Sequence, residues 1–99
     1  MPITFHPAFN DNVLVFSKMT VAGDDLVLVA ISLDPRNPQA CDIDLPLWRW
    51  GLSDDARFEV EDLLTEDRMT WQGVRQRVSL NPDQPYRIWQ ILVPVKPTQ

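Results

Sequence analysis

One cysteine, Cys41, and one histidine, His6, are all that 99 residues offer to thiol and imidazole chemistry. A single cysteine excludes an internal disulfide and a thiolate zinc cage, so no metal is expected, and it fits a reducing, cytoplasmic setting. A lone histidine leaves any nucleophile–base arrangement with one candidate base, in a Pro/Phe-rich stretch that suits packing or capping. Three glycines are too few for phosphate-cradling loops, and neither a P-loop nor a dinucleotide fingerprint is present, so no cofactor is expected. The longest apolar run, Leu26 to Ile31, is six residues, far short of the roughly 20 that span a bilayer. The start, MPITFHPAF, lacks the features of a secretion signal. Positive charge is also scarce: 9 Lys and Arg against 14 acids give a net charge of −5, which argues against nucleic acid as a partner. The length allows one domain and cannot hold a (β/α)₈ barrel of about 250 residues.

What the sequence has in quantity is proline, nine in all, and between the prolines apolar residues recur with period two. That pattern predicts strands over residues 12–18, 25–33, 40–47, 57–62, 68–71, 74–80 and 86–93. Pro46 forces the third of these to lie at an edge or to stop there. WRWGLSDDA reads as a turn or a short helical turn. Ala22-Gly23-Asp24-Asp25 reads as a turn, and Gln72-Gly73 as a hairpin joint. About seven to eight strands divided by Pro/Gly turns predict an all-β fold, an antiparallel β-sandwich of Greek-key type. The expected organisation is a lead segment over 1–11, the sandwich over 12–94 and a frayed tail over 95–99. Charge is uneven: residues 1–67 carry 13 acids and 4 bases, residues 68–99 one acid and 5 bases. Cross-strand pairing is the expected reason.

No catalytic residue is assigned. Asp42 and Asp44, and again Glu59 and Glu61, sit two apart on the polar side of a strand, which reads as a solvated face. Asp54-Asp55 after Ser53 is turn chemistry. The four tryptophans stand out. In an extended LWRWG stretch, Trp48 and Trp50 would face the same way and could stack on two sugar rings, with Trp71 a third candidate carbohydrate contact. Packing is the alternative for each. The strands at 25–33 and 86–93 are apolar on both faces, whereas a sandwich sheet should alternate. An outer patch holding Val27, Val29, Ile31, Trp89 and Ile91 would exceed what monomers usually expose, so the domain is expected to dock. Phe5, His6 and Phe9 join Trp89 and Ile91 as candidate interface residues.

The order FHPAFNDNVLVFSK, DDLVLVAISLDP, IDLPL, WG, FEVEDLLT, W-x-G, VSLNP and IWQI resembles the carboxy-terminal β-domain of α-amylase-superfamily enzymes. Within that superfamily it is similar to the α-1,4-glucan:maltose-1-phosphate maltosyltransferases, over roughly residues 5–92. Two positions depart from the pattern: Ile31-Ser32-Leu33 replaces Val-Asn-Leu, and Glu66 follows Thr65 where a glycine is usual. The resemblance implies the terminal piece of a longer enzyme whose catalytic aspartate and glutamate lie in an upstream barrel, outside this sequence.

Three functional expectations follow. The first is a non-catalytic accessory domain that packs against the upstream catalytic barrel of the same polypeptide. The second is a carbohydrate-binding module for α-glucan. The third is a free-standing interaction domain, homo-oligomeric through its sheet face.

Overall fold

The computed structural model describes residues 3–19 and 25–92. Among these residues eight strands form two antiparallel sheets: β1 (Ile3–His6), β2 (Val13–Met19), β3 (Leu26–Ser32), β4 (Gln39–Asp44), β5 (Arg57–Asp62), β6 (Arg68–Gln72), β7 (Arg75–Leu80) and β8 (Tyr86–Leu92). The larger sheet runs β1-β2-β3-β8-β5-β6 and the smaller pairs β4 with β7. The chain therefore crosses between sheets after β3, β4, β6 and β7, the interleaving expected of a Greek-key sandwich. Among the described residues no helix is long and apolar enough to cross a membrane.

Strict alternation explains both layers. Leu26, Leu28 and Ala30 of β3, Phe58 and Val60 of β5, and Trp89 and Ile91 of β8 point inward. They meet Cys41 and Ile43 of β4 and Val78 and Leu80 of β7 in one core cluster. Residues 3–6, read from sequence as part of a lead segment, instead form an edge strand paired with β2. Residues 7–9 then move to the second sheet: the Phe9 amide donates to the Asp42 carbonyl, and the Asp44 amide donates to the Pro7 carbonyl. One short segment thus laces the two sheets together at this edge.

β4 ends at Asp44, and Pro46 introduces a 3₁₀ turn, Leu47–Trp50, closed by Gly51 at φ 77°. Gly73 has positive φ, 86°, as its turn position suggested. The turn is not a hairpin, however. β6 pairs with β5 in the larger sheet, while β7 pairs with β4 in the smaller one. The Gly73 amide donates to Ala56, and the Leu45 amide to Val74, so this corner bends the chain between layers. The expected turn at 22–25 and the tail at 95–99 lie largely or wholly outside the described residues.

The uneven charge resolves into cross-strand pairs. Arg68 bridges Glu59 and Glu61, Arg75 bridges Asp44, Arg77 bridges Asp42 and Arg87 bridges Asp62. In every case a late arginine meets an earlier acid.

Candidate functional site

The outer faces of the two sheets differ in kind. On the smaller sheet, Asp42 and Asp44 face Arg77 and Arg75 in a solvated charge ladder. On the larger sheet, register places Phe5, Phe16, Val29 and Ile88 in one row across four strands, with Leu14, Ile31 and Tyr86 in the next. Phe5 is 63% exposed and meets Phe16 edge to face at 5.9 Å between centroids. The apolar area stops where Lys18, Gln90, Glu61 and Arg68 begin, in the row Lys18–Val27–Gln90–Glu61–Arg68. Contiguous apolar faces with polar borders are, in general, a mark of interaction surfaces.

The expected apolar outer face is thus present, with different members from those expected. Val27, Val29 and Ile31 do lie on it. Trp89 and Ile91 do not, because β3 pairs odd residues with even residues of β8, and Leu28↔Trp89 turns the indole into the core. Trp71 and Trp89 pack edge to face at 5.2 Å, and Phe58 meets Trp71 at 6.3 Å. Trp71 is therefore half-buried against the core, in a packing position. His6 is buried, with Nε2 2.6 Å from Ser17 Oγ. Phe9 is exposed on the smaller sheet's side, with the Arg75 guanidinium 4.7 Å from its ring centroid.

Trp48 and Trp50 do not share a face. At about three residues per turn, a 3₁₀ segment throws side chains two apart to different sides. Trp48 is 72% exposed, whereas Trp50 is 8% exposed and packs edge-on to His6 at 6.3 Å. A groove of about 440 Å³ runs between β1 and this turn, bordered by Trp48, Arg49, Asp44 and Asp54. Adjoining it, a smaller cavity of about 210 Å³ is lined by Thr4, His6, Ser17 and Trp50, among others. Sequence reasoning passed over Thr4 and Ser17. The available signal was one hydroxyl on the core-facing side of each strand, Thr4 in β1 and Ser17 in β2.

These features define the class: an antiparallel β-sandwich domain with one hydrophobic outer sheet face and a polar corner beneath its edge strand. Residues 5–91 match the family model described as GLGE, C-terminal, and the chain belongs to that family. It is 42% identical over 96 residues to an alpha-1,4-glucan:maltose-1-phosphate maltosyltransferase of Cereibacter sphaeroides, covering 96% of this chain and 14% of the relative. Enzymes of the same name from Burkholderia pseudomallei and Pseudomonas aeruginosa are 47% and 41% identical, over 90% and 85% of this chain. The chain spans only 8% and 13% of those two relatives.

Proposed function

We propose that this domain is a non-catalytic accessory unit of an α-glucan-acting transferase, packing against the catalytic barrel of the same polypeptide and stabilising it. The observation that carries this reading is the apolar outer face of β1, β2, β3 and β8. Relatives many times longer supply a body for that face to cover, and domain interfaces of roughly 600–1,500 Å² are usual within one chain. The buried, unpaired Cys41 accords with a cytoplasmic setting.

Phe16→Lys and Ile88→Lys, placed in the full-length polypeptide, test it. Both side chains point away from the sandwich core, so the isolated domain should keep its melting temperature within a few degrees. The full-length protein should lose several degrees and part of its activity. Equal melting temperatures in both settings would sink the docking reading. A homodimer of the isolated domain that either substitution dissociates would favour the free-standing interaction domain.

The second reading, saccharide binding, is favoured by one observation: the exposed Trp48 indole beside a groove.

A further inference from the structure

The inner face of a sandwich sheet is normally apolar. Val13, Val15, Leu26, Leu28 and Ala30 keep to that rule. At the corner of β1 and β2 it fails, because Thr4, His6 and Ser17 all point inward. Thr4 and Ser17 are direct cross-strand partners, and His6 lies two pairs further along, opposite Val15. Hydroxyl and imidazole groups placed against a core forfeit the burial energy that valine or leucine would give, so their presence asks for a reason other than packing. They border the 210 Å³ cavity, whose remaining wall is mostly apolar, Met19, Leu26, Pro46 and Trp50, with Arg49 beside them. The cavity and the outer groove share Thr4, His6, Pro46 and Arg49, so they are neighbouring parts of one recess. Apolar walls with a few convergent polar groups are the usual make-up of a small-molecule site.

We propose that this corner binds the end of a neutral saccharide chain, with one sugar ring in the inner cavity against Thr4, His6 and Ser17 and the next on the Trp48 indole. Volume supports one ring inside: the cavity falls below the roughly 300–1,000 Å³ of drug-sized pockets, while the groove lies within that range. Chemistry supports a sugar. Hydroxyl groups both donate and accept, as do sugar hydroxyls, and an indole offers a flat apolar surface to ring C–H groups. Arg49 sits 5.6 Å from the Trp48 centroid, yet an indole 72% exposed keeps a bare face. Charge argues against an anion. The groove borders two carboxylates and one guanidinium, and Arg75 neutralises one of those carboxylates, so no net positive charge is left to hold one. Burial, with Arg49 nearby, favours the neutral imidazole, so His6 adds no cation.

This site lies beneath the β1 edge, apart from the docking face except at Phe5. The choice of an α-1,4-linked probe rests on the proposed function, so a β-1,4-linked probe is run beside it. Tryptophan fluorescence of the 99-residue chain is titrated with maltoheptaose, cellohexaose and α-cyclodextrin, a cyclic glucan with no chain end. Maltoheptaose should saturate with a Kd in the low millimolar range, at least tenfold weaker in Trp48→Ala and at least fivefold weaker in Thr4→Val. Cyclodextrin should bind at least tenfold more weakly than the open chain. Far-ultraviolet circular dichroism and melting curves confirm that each variant is folded; Trp48 is exposed and Thr4→Val keeps side-chain shape. Saturation with cellohexaose alone would support the saccharide site and count against the α-glucan reading. No saturation by either open chain up to roughly 10 mM overturns the proposal. Cyclodextrin binding as tight as the open chain, or Thr4→Val without effect, overturns it as well.

Discussion

Arg87 Nη1 donates a 3.1 Å hydrogen bond to Oδ2 of Asp62, a carboxylate only 1% exposed at the end of β5. The other oxygen, Oδ1, accepts from the amides of Leu64 and Thr65 at 2.9 and 3.1 Å. One side chain therefore anchors β8 through its charge and organises the 63–66 turn through its acceptors. Removing one partner of a buried ion pair leaves the other desolvated and uncompensated, at about 3–5 kcal/mol. Asp62→Ala should fall in that range and lower the melting temperature by more than about 10 °C. Asp62→Asn, which keeps an acceptor for the turn, should cost less. In urea unfolding, Asp62→Ala and Arg87→Leu should be clearly less than additive, because each removes the same contact. Additive costs would show that the two residues stabilise the fold independently.

The His6–Ser17 pair gives the stability a defined pH response. Burial, and secondarily the Arg49 guanidinium, holds the imidazole below its ordinary value of 6.5. Below 6.5 the unfolded chain takes up a proton that the folded chain resists, so protons favour unfolding there. The contribution of His6 is thus present in full above 6.5 and is lost as pH falls through the folded value. The stability difference between the native chain and His6→Gln should shrink on going from about pH 7.5 to about pH 5. Subtracting the variant removes the background of the carboxylates. A difference constant across that range would mean that the imidazole does not titrate out of its burial.

How much of this is legible in the residues depends on how local the cause is. RFEVED and DLVLVAIS reveal their strands because alternation is a property of neighbours. ITFH does not: four residues between Pro2 and Pro7 carry too little pattern, and β1 exists because β2 offers it an edge. Gly73 announces positive φ, but whether the strands on either side share a sheet is decided by β4 and β5, far away in sequence. The doubly apolar strands signal an apolar outer face, and β2, β3 and β8 form one. Which of their residues occupy it depends on the β3–β8 register, and that turns Trp89 and Ile91 inward. Trp48 and Trp50 read as a matched pair only in extended backbone. The 3₁₀ turn after Pro46 separates them, leaving Trp48 alone on the groove.

Cys41 is 2% exposed in the core, and burial pushes its thiol above the ordinary value of 9.0, with Asp42 adding to the effect and Arg77 opposing it. The thiolate is the reactive form, so both protonation and access are against modification. At about pH 8, Ellman's reagent should modify the folded chain at least about 100-fold more slowly than the chain in concentrated urea. Comparable rates would show that β4 opens readily from the core.

Glu66 is a non-glycine residue at φ 63°. The left-handed region crowds a Cβ against the backbone at a cost of roughly 1–2 kcal/mol, and glycine adopts it freely. The turn itself is held from elsewhere: the Glu66 amide donates to the Asp62 carbonyl at 2.7 Å, and Asp62 Oδ1 fixes the two residues before it. Glu66 thus occupies this conformation because its neighbours impose it. Glu66→Gly should relieve the strain and return part of the gain through the greater freedom of the unfolded chain, leaving about 0.5–1 kcal/mol of added stability. Glu66→Ala removes the same carboxylate without relieving the backbone, and it should leave stability close to that of the native chain. The comparison of Gly with Ala isolates the conformational effect from any loss of charge. A melting temperature for Glu66→Gly no higher than for Glu66→Ala would show that the turn carries no strain for glycine to release.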